Sequence, residues 1–200
     1  MPYRRTPKVQ ARLDSQRDRI LATAIELLAE HGYAGCSMAA VASRAGVATG
    51  SVYRHFPGKA ELVVEVFREV VTREVAAVEA ASAQPGEFTE RIVAVFDTFA
   101  TRALKAPRLA YALLAEPVDA PIEAERLVFR RAFRDVVARR ITEGIRAGQL
   151  PPQDAEVTAA ALVGAAAEVL IGPLTGAENA LPALRTFVQR ALGGPDASHP

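Results

Sequence analysis

Along almost the whole chain, apolar side chains return every third or fourth residue, while the strict alternation of a half-buried strand hardly occurs. That period restricts the polypeptide to an all-α fold. Its 13 glycines and 13 prolines fall mainly between the periodic segments and mark where helices stop. After a basic start, Asp14 or Ser15 is placed to cap a first helix striped by Ile20, Leu21, Ala24, Leu27 and Leu28 and ended at His31-Gly32. Ser37 caps a second helix over about residues 38–45, Gly46 stops it, and a third covers about residues 49–55. Phe56-Pro57-Gly58 breaks the chain before a long fourth helix, from Lys59 to near Ala83. Further helices are expected over about 87–104, 107–115, 122–147, 154–171 and 179–192, about nine in all and without internal repeats. In the seventh, Leu127, Phe129, Phe133, Val136, Val137 and Ile141 are expected to face inward.

Composition removes several function classes. Half of the 200 residues are hydrophobic, ample for a buried core. A single cysteine, Cys36, excludes an intramolecular disulfide and a thiol cluster, and makes a reducing cytoplasm the default compartment. His31, His55 and His199 are far apart and form no His-Glu cluster at ligand spacing, so neither a metal nor a cofactor is expected. No apolar run reaches bilayer length and "MPYRRTPKVQAR" lacks the apolar core of a signal peptide, so neither membrane nor export is expected. An enzyme is not expected either, for there is no nucleophile elbow, phosphate-cradling glycine loop or recognisable carboxylate pair. The net charge is +1, but residues 1–60 hold nine Lys and Arg against four Asp and Glu, and the remainder fifteen against nineteen. A basic head on an acidic body suits an anionic polymer at one end, though solvated faces can show the same asymmetry.

Residues 38–56 carry the informative chemistry. Two short helices around Gly46, held by Ala42, Ala45, Val47 and Val52, make a helix-turn-helix. The opposite face of the second helix bears Thr49, Gly50, Ser51, Tyr53, Arg54 and His55, groups able to bond phosphates and base edges. Two readings stand: a helical hairpin whose polar face meets only water, or a helix that enters a DNA groove. Gly50 leans toward the second, since a glycine in an exposed helix costs about 1 kcal/mol against alanine and calls for a compensating use.

The stretch "AIELLAEHGYAGCSMAAVASRAGVATGSVYRHFPGKAELV" resembles the DNA-binding region of TetR-type bacterial transcriptional regulators, with "HGY", the Ser-Met opening of helix two, "RAGV", "GSVYRHF" and the following lysine in register. The likeness covers about residues 14–64; beyond it only the helical architecture is shared. It implies a disordered basic tail (1–13), a helix-turn-helix DNA-binding domain (14–58), a ligand-binding and dimerisation domain (59–192) and a disordered tail (193–200). It further implies that Ser37 offers its hydroxyl and backbone N–H to a phosphate, that Thr49, Gly50 and Ser51 lie closest to base edges, and that Tyr53, His55 and Lys59 touch phosphates. Arg44 either adds a backbone contact or is a solvated charge, and Arg4, Arg5, Lys8 and Arg12 are either a minor-groove arm or a solvated tail. The chain departs from the family pattern at Ala48, where a capping serine is frequent, and at Cys36, read here as a small buried hydrophobe.

For the body, the resemblance implies a homodimer and a small-molecule effector. Helices eight and nine would meet a second copy through Gly164, Leu184, Phe187 and Val188, unless those faces are buried within the chain. A mostly apolar pocket would draw on Phe96, Phe99, Tyr111, Leu114, Phe129, Phe133 and Glu168. The whole would be a repressor that holds a palindromic double-stranded DNA operator and is released by its ligand; the alternative is a helical adaptor or ligand-binding protein that has lost DNA binding.

Overall fold

The computed structural model describes residues 6–174 and 180–193. Among them are nine helices and no strand: α1 (Pro7–Gly35), α2 (Met38–Ala45), α3 (Thr49–His55), α4 (Lys59–Ser82), α5 (Phe88–Lys105), α6 (Pro107–Leu114), α7 (Ala120–Arg146), α8 (Ala155–Leu174) and α9 (Leu181–Ala191). Two apolar cores hold them. A head core joins Ile20, Leu28, Val41, Val52, Phe56, Leu62 and Phe67 from α1 to α4, closed by Leu113 and Ile122. A body core joins Ile92, Phe96, Phe133, Ile141, Leu162 and Val188 from α5, α7, α8 and α9. Each such side chain contributes about 1.5–3 kcal/mol by leaving water. α4 belongs to both, with Val66 and Phe67 in the head core and Val78 in the body core, so it is the mechanical link between them.

α1 starts earlier than the cap residues at 14 and 15 suggest. Thr6 accepts a hydrogen bond from the Val9 N–H and Pro7 occupies the first turn, a stronger start signal than a polar residue inside a continuing helix. Lys8 and Arg12 are therefore on a helix rather than in a disordered tail; Arg4 and Arg5 lie outside the described residues, as does the stretch from 194 to 200. Gly32 interrupts α1 with φ 66°, the left-handed conformation that glycine adopts without a Cβ clash. Leu127, expected inside, is 54% exposed, because Phe129 and Phe133 set the buried face of α7 and Leu127 lies off that stripe. The expectation that no apolar run reaches bilayer length also fails: the 18 residues Ala155–Gly172 of α8 are long and apolar enough to cross a membrane, and only 22% of them are buried. Alanines supply that apolarity, and a single stripe of Ala159, Leu162, Ala166 and Leu170 enters the body core.

Candidate nucleic-acid interface

The motif is built from local codes. The Ser37 hydroxyl accepts the Ala40 N–H at 3.1 Å and starts α2. Gly46 ends it at φ 64°, ψ 39°, its N–H turned back to the Ala42 and Ser43 carbonyls. Val41 and Ala42 seat α2 on α1, and Val52, fully buried, pins α3 beneath them. α3 has no side-chain cap, since Ala48 stands at its N-cap; that omission costs about 1 kcal/mol relative to Ser or Thr.

With one face pinned, the other is presented outward. Thr49, Gly50, Tyr53 and Arg54 are exposed, and Ser51 and His55 half-buried. A Cβ at Gly50 would meet nothing within 4 Å, so no neighbour in the chain requires glycine there. Arg54, on the exposed face, makes no salt bridge among the described residues, which leaves its charge available to an external anion. Three other anticipated contacts are engaged within the chain. Arg44 pairs with Glu30 at 2.7 Å, the Lys59 ammonium lies 3.8 Å over the Tyr33 ring, and His55 Nε2 is 3.1 Å from Gln16 Oε1. Burial, and then Arg54 and Arg17, hold the His55 pKa below its ordinary value, so the ring is neutral at pH 7. Cys36 is wholly enclosed, and burial pushes its thiol up to about 11.

Where the head meets the body, contacts far apart in sequence converge on Tyr33. Its N–H donates to both carboxylate oxygens of Glu116, at 2.9 and 3.1 Å, its hydroxyl donates to Asp119, and its ring carries Lys59. Burial, with the Asp119 hydrogen bond, raises the Tyr33 pKa strongly. Glu116 follows α6, whose last carbonyls are capped by the buried Arg126 guanidinium: Ala112 at 3.1 Å, Leu113 at 2.9 Å and, just beyond, Glu116 at 2.7 Å. An ion-pair chain, Arg17 to Glu65 to Arg68 to Glu125, ties α1, α4 and α7 on another side.

The body holds a cavity of about 50 Å³ between α4, α5, α6 and α7. Of the seven anticipated ligand residues, Phe99, Leu114 and Phe129 line it. Phe96 and Phe133 are instead core, their rings edge to face with centroids 6.1 Å apart, and Tyr111 is half-buried away from the lining. Glu168 is exposed on α8 and lines no part of it, as a lone carboxylate avoids an apolar interior. Val70, Ala103 and Leu109 were not foreseen, because their spacing is that of ordinary core residues. The anticipated dimer face needs a correction too. Leu184 and Val188 are buried in their own subunit, as the amphipathic stripe of α9 packs inward. Gly164 and Phe187 remain exposed, as do Val157 and Val169.

An all-α chain with a pinned, outward-facing recognition helix and a separate helical body is a helix-turn-helix regulator by class. Residues 20–66 match the family described as bacterial regulatory proteins, tetR family, so the head of the chain is of that family's DNA-binding type. It is 22% identical over 134 residues to the fatty acid metabolism regulator protein of Bacillus subtilis, covering 66% of this chain and 69% of that one. It is 47% identical over 49 residues to the transcriptional repressor KstR of Rhodococcus jostii, a stretch covering 24% of this chain and only 23% of the relative, so that likeness concerns the head alone. Among solved structures, the regulator FadR of Bacillus subtilis in complex with stearoyl-CoA superposes with a TM-score of 0.75 at 20% identity, covering 89% and 98% of the two chains. At that identity the likeness is one of fold.

Proposed function

We propose that this chain is a repressor which binds a palindromic DNA operator as a homodimer in the cytoplasm and lets go when a ligand with a long apolar part enters its body. The observation that carries the reading is the α3 face: Thr49, Gly50, Tyr53 and Arg54 exposed on a helix whose other side is pinned by Val52. Thr49 and Ser51 read base edges, Tyr53 and Arg54 hold phosphates, and Lys59 adds a phosphate contact from the ring of Tyr33. The related KstR proteins bear the name of repressors, which supports repression, and the FadR structure holds stearoyl-CoA, which supports an effector with an aliphatic chain.

Release follows from the contacts around α6. A cavity of about 50 Å³ is far below the roughly 300–1,000 Å³ of an occupied ligand site, so filling it must move its walls. α6 is one wall, and Glu116 at its end grips Tyr33; α4 is another, and it starts at Lys59. Displacing either shifts the head, and two heads set for half-sites about 34–36 Å apart lose their register. A coupling of about 1–3 kcal/mol changes operator occupancy strongly. The test is the salt dependence of binding to duplex DNA from the gene's own promoter. Affinity is expected to fall by about a thousandfold or more between 50 and 200 mM salt for a dimer contacting six or more phosphates; salt-insensitive or absent binding would overturn the reading.

A further inference from the structure

The cavity wall is almost wholly apolar, with Val70, Phe99, Ala103, Leu109, Leu113 and Phe129 in it, and among the described residues only two charged side chains reach it, Glu74 and Arg102. Glu74 comes from α4 and Arg102 from α5, and they meet fork to fork, Nε and an Nη each donating to one carboxylate oxygen at 2.7 Å. The Glu74 side chain is 16% exposed and that of Arg102 42%, which puts the pair at the rim, half in water. This planar, two-pronged geometry is how a guanidinium holds a carboxylate or a phosphate. We infer that Arg102 is the anchor for the anionic head of an amphiphile whose aliphatic chain enters the cavity, and that Glu74 occupies the anchor while no ligand is bound. The inference rests on the body being an effector domain and adds the effector's class: one aliphatic chain bearing an anion.

Exchange at Arg102 keeps one ion pair and returns the Glu74 carboxylate, whose side chain is only 16% exposed, to water, so trading Glu74 for the ligand's anion favours the anion. The chain then adds about fourfold in affinity for each methylene it buries. A neutral ligand gains the same burial but leaves Glu74 on Arg102. Room for a longer chain exists beyond Phe129: that ring and Val71 also line a groove of about 260 Å³ between α4 and α7, so turning the ring joins the two spaces. Release of Glu74 removes a tie between α4 and α5, and α4 begins at Lys59. The helix that carries a phosphate contact therefore senses whether the anchor is taken.

Isothermal titration of the full-length chain with decanoate, decanoyl-CoA and 1-decanol tests this, alongside Arg102→Met, Arg102→Lys and Glu74→Gln. At least one of the two anions is expected to bind about tenfold or more tightly than the alcohol, and which one shows whether the head is a carboxylate or the phosphates of the thioester. Arg102→Met should bring the anions down to the alcohol's affinity and leave the alcohol's unchanged. Arg102→Lys, which keeps the charge but not the fork, should fall between, and Glu74→Gln should tighten the anions by removing their competitor. Equal binding of all three probes, no binding of any, or an anion preference that survives loss of the guanidinium overturns the inference. Operator binding by the same proteins without ligand separates the two claims. DNA binding without anion discrimination removes only the anchor, and anchored anions without DNA binding remove only the repressor.

Discussion

Gly50 is held in place by nothing in its own subunit, and that makes it a sharp probe of the interface. A Cβ there meets open space and the helix would gain propensity, so Gly50→Ala is expected to raise stability by about 0.5–1 kcal/mol while weakening operator binding; a denaturant melt and an anisotropy titration read the two effects separately. Tyr53→Phe and Lys59→Ala should weaken binding to every duplex alike, and Lys59→Ala should reduce the salt slope by about one, whereas Thr49→Ala and Ser51→Ala should alter which operator is preferred. Specificity changes from the first pair would mean that α3 lies differently in the groove. His55 carries a pH dependence. Its folded pKa is lowered by burial and by Arg54 and Arg17, so between that value and the unfolded value near 6.5 the unfolded chain binds more protons. The stability it contributes is complete above 6.5 and is lost as pH falls; His55→Gln should flatten the decline in denaturant midpoint between pH 7.5 and 5.

At the scale of elements, the α6–α7 loop is expected to reach DNA without touching it. If Glu116 acts through Tyr33 on Lys59, then Glu116→Ala and Lys59→Ala must be non-additive in operator affinity, by more than about 0.5 kcal/mol in a double-mutant cycle; additive effects would reduce Glu116 to a structural cap. The contrast between α3 and this loop shows what a sequence discloses. Helix, turn and helix at 37–55 were legible because each signal is local: a serine cap, a left-handed glycine, and valines on one side. Tyr33 and Glu116 lie 83 residues apart, and Arg126 lies 10 to 14 residues from the carbonyls it caps. No local pattern announces either contact. The start of α1 was missed for a different reason, that polar residues at 14 and 15 are compatible with both a cap and a helix surface, and only the Thr6-Pro7 pair breaks the tie.

At the scale of the whole molecule, periodicity tells that a face is apolar but not whose core it enters. Leu184 and Val188 read as a stripe available to a partner and are the chain's own interior. What remains uncovered is the outer side of α8, with Val157, Gly164 and Val169, and the neighbouring Phe187, which is 45% exposed. A helix as apolar as Ala155–Gly172 with only 22% of it buried keeps an uncovered apolar side, and in the proposed dimer a second copy would cover it and match the two-fold operator at once. Gly164→Glu isolates this effect. Its Cβ would meet nothing within 4 Å, and glutamate favours helix over glycine by about 0.5–1 kcal/mol, so the subunit itself should fold at least as well. Sedimentation should nonetheless show a monomer, with helical circular dichroism intact and palindrome binding reduced to the weak affinity of a single head. Val188→Glu, by contrast, places a charge in the body core and should unfold the chain. A Gly164→Glu protein that still sediments as a dimer would move the two-fold axis off α8.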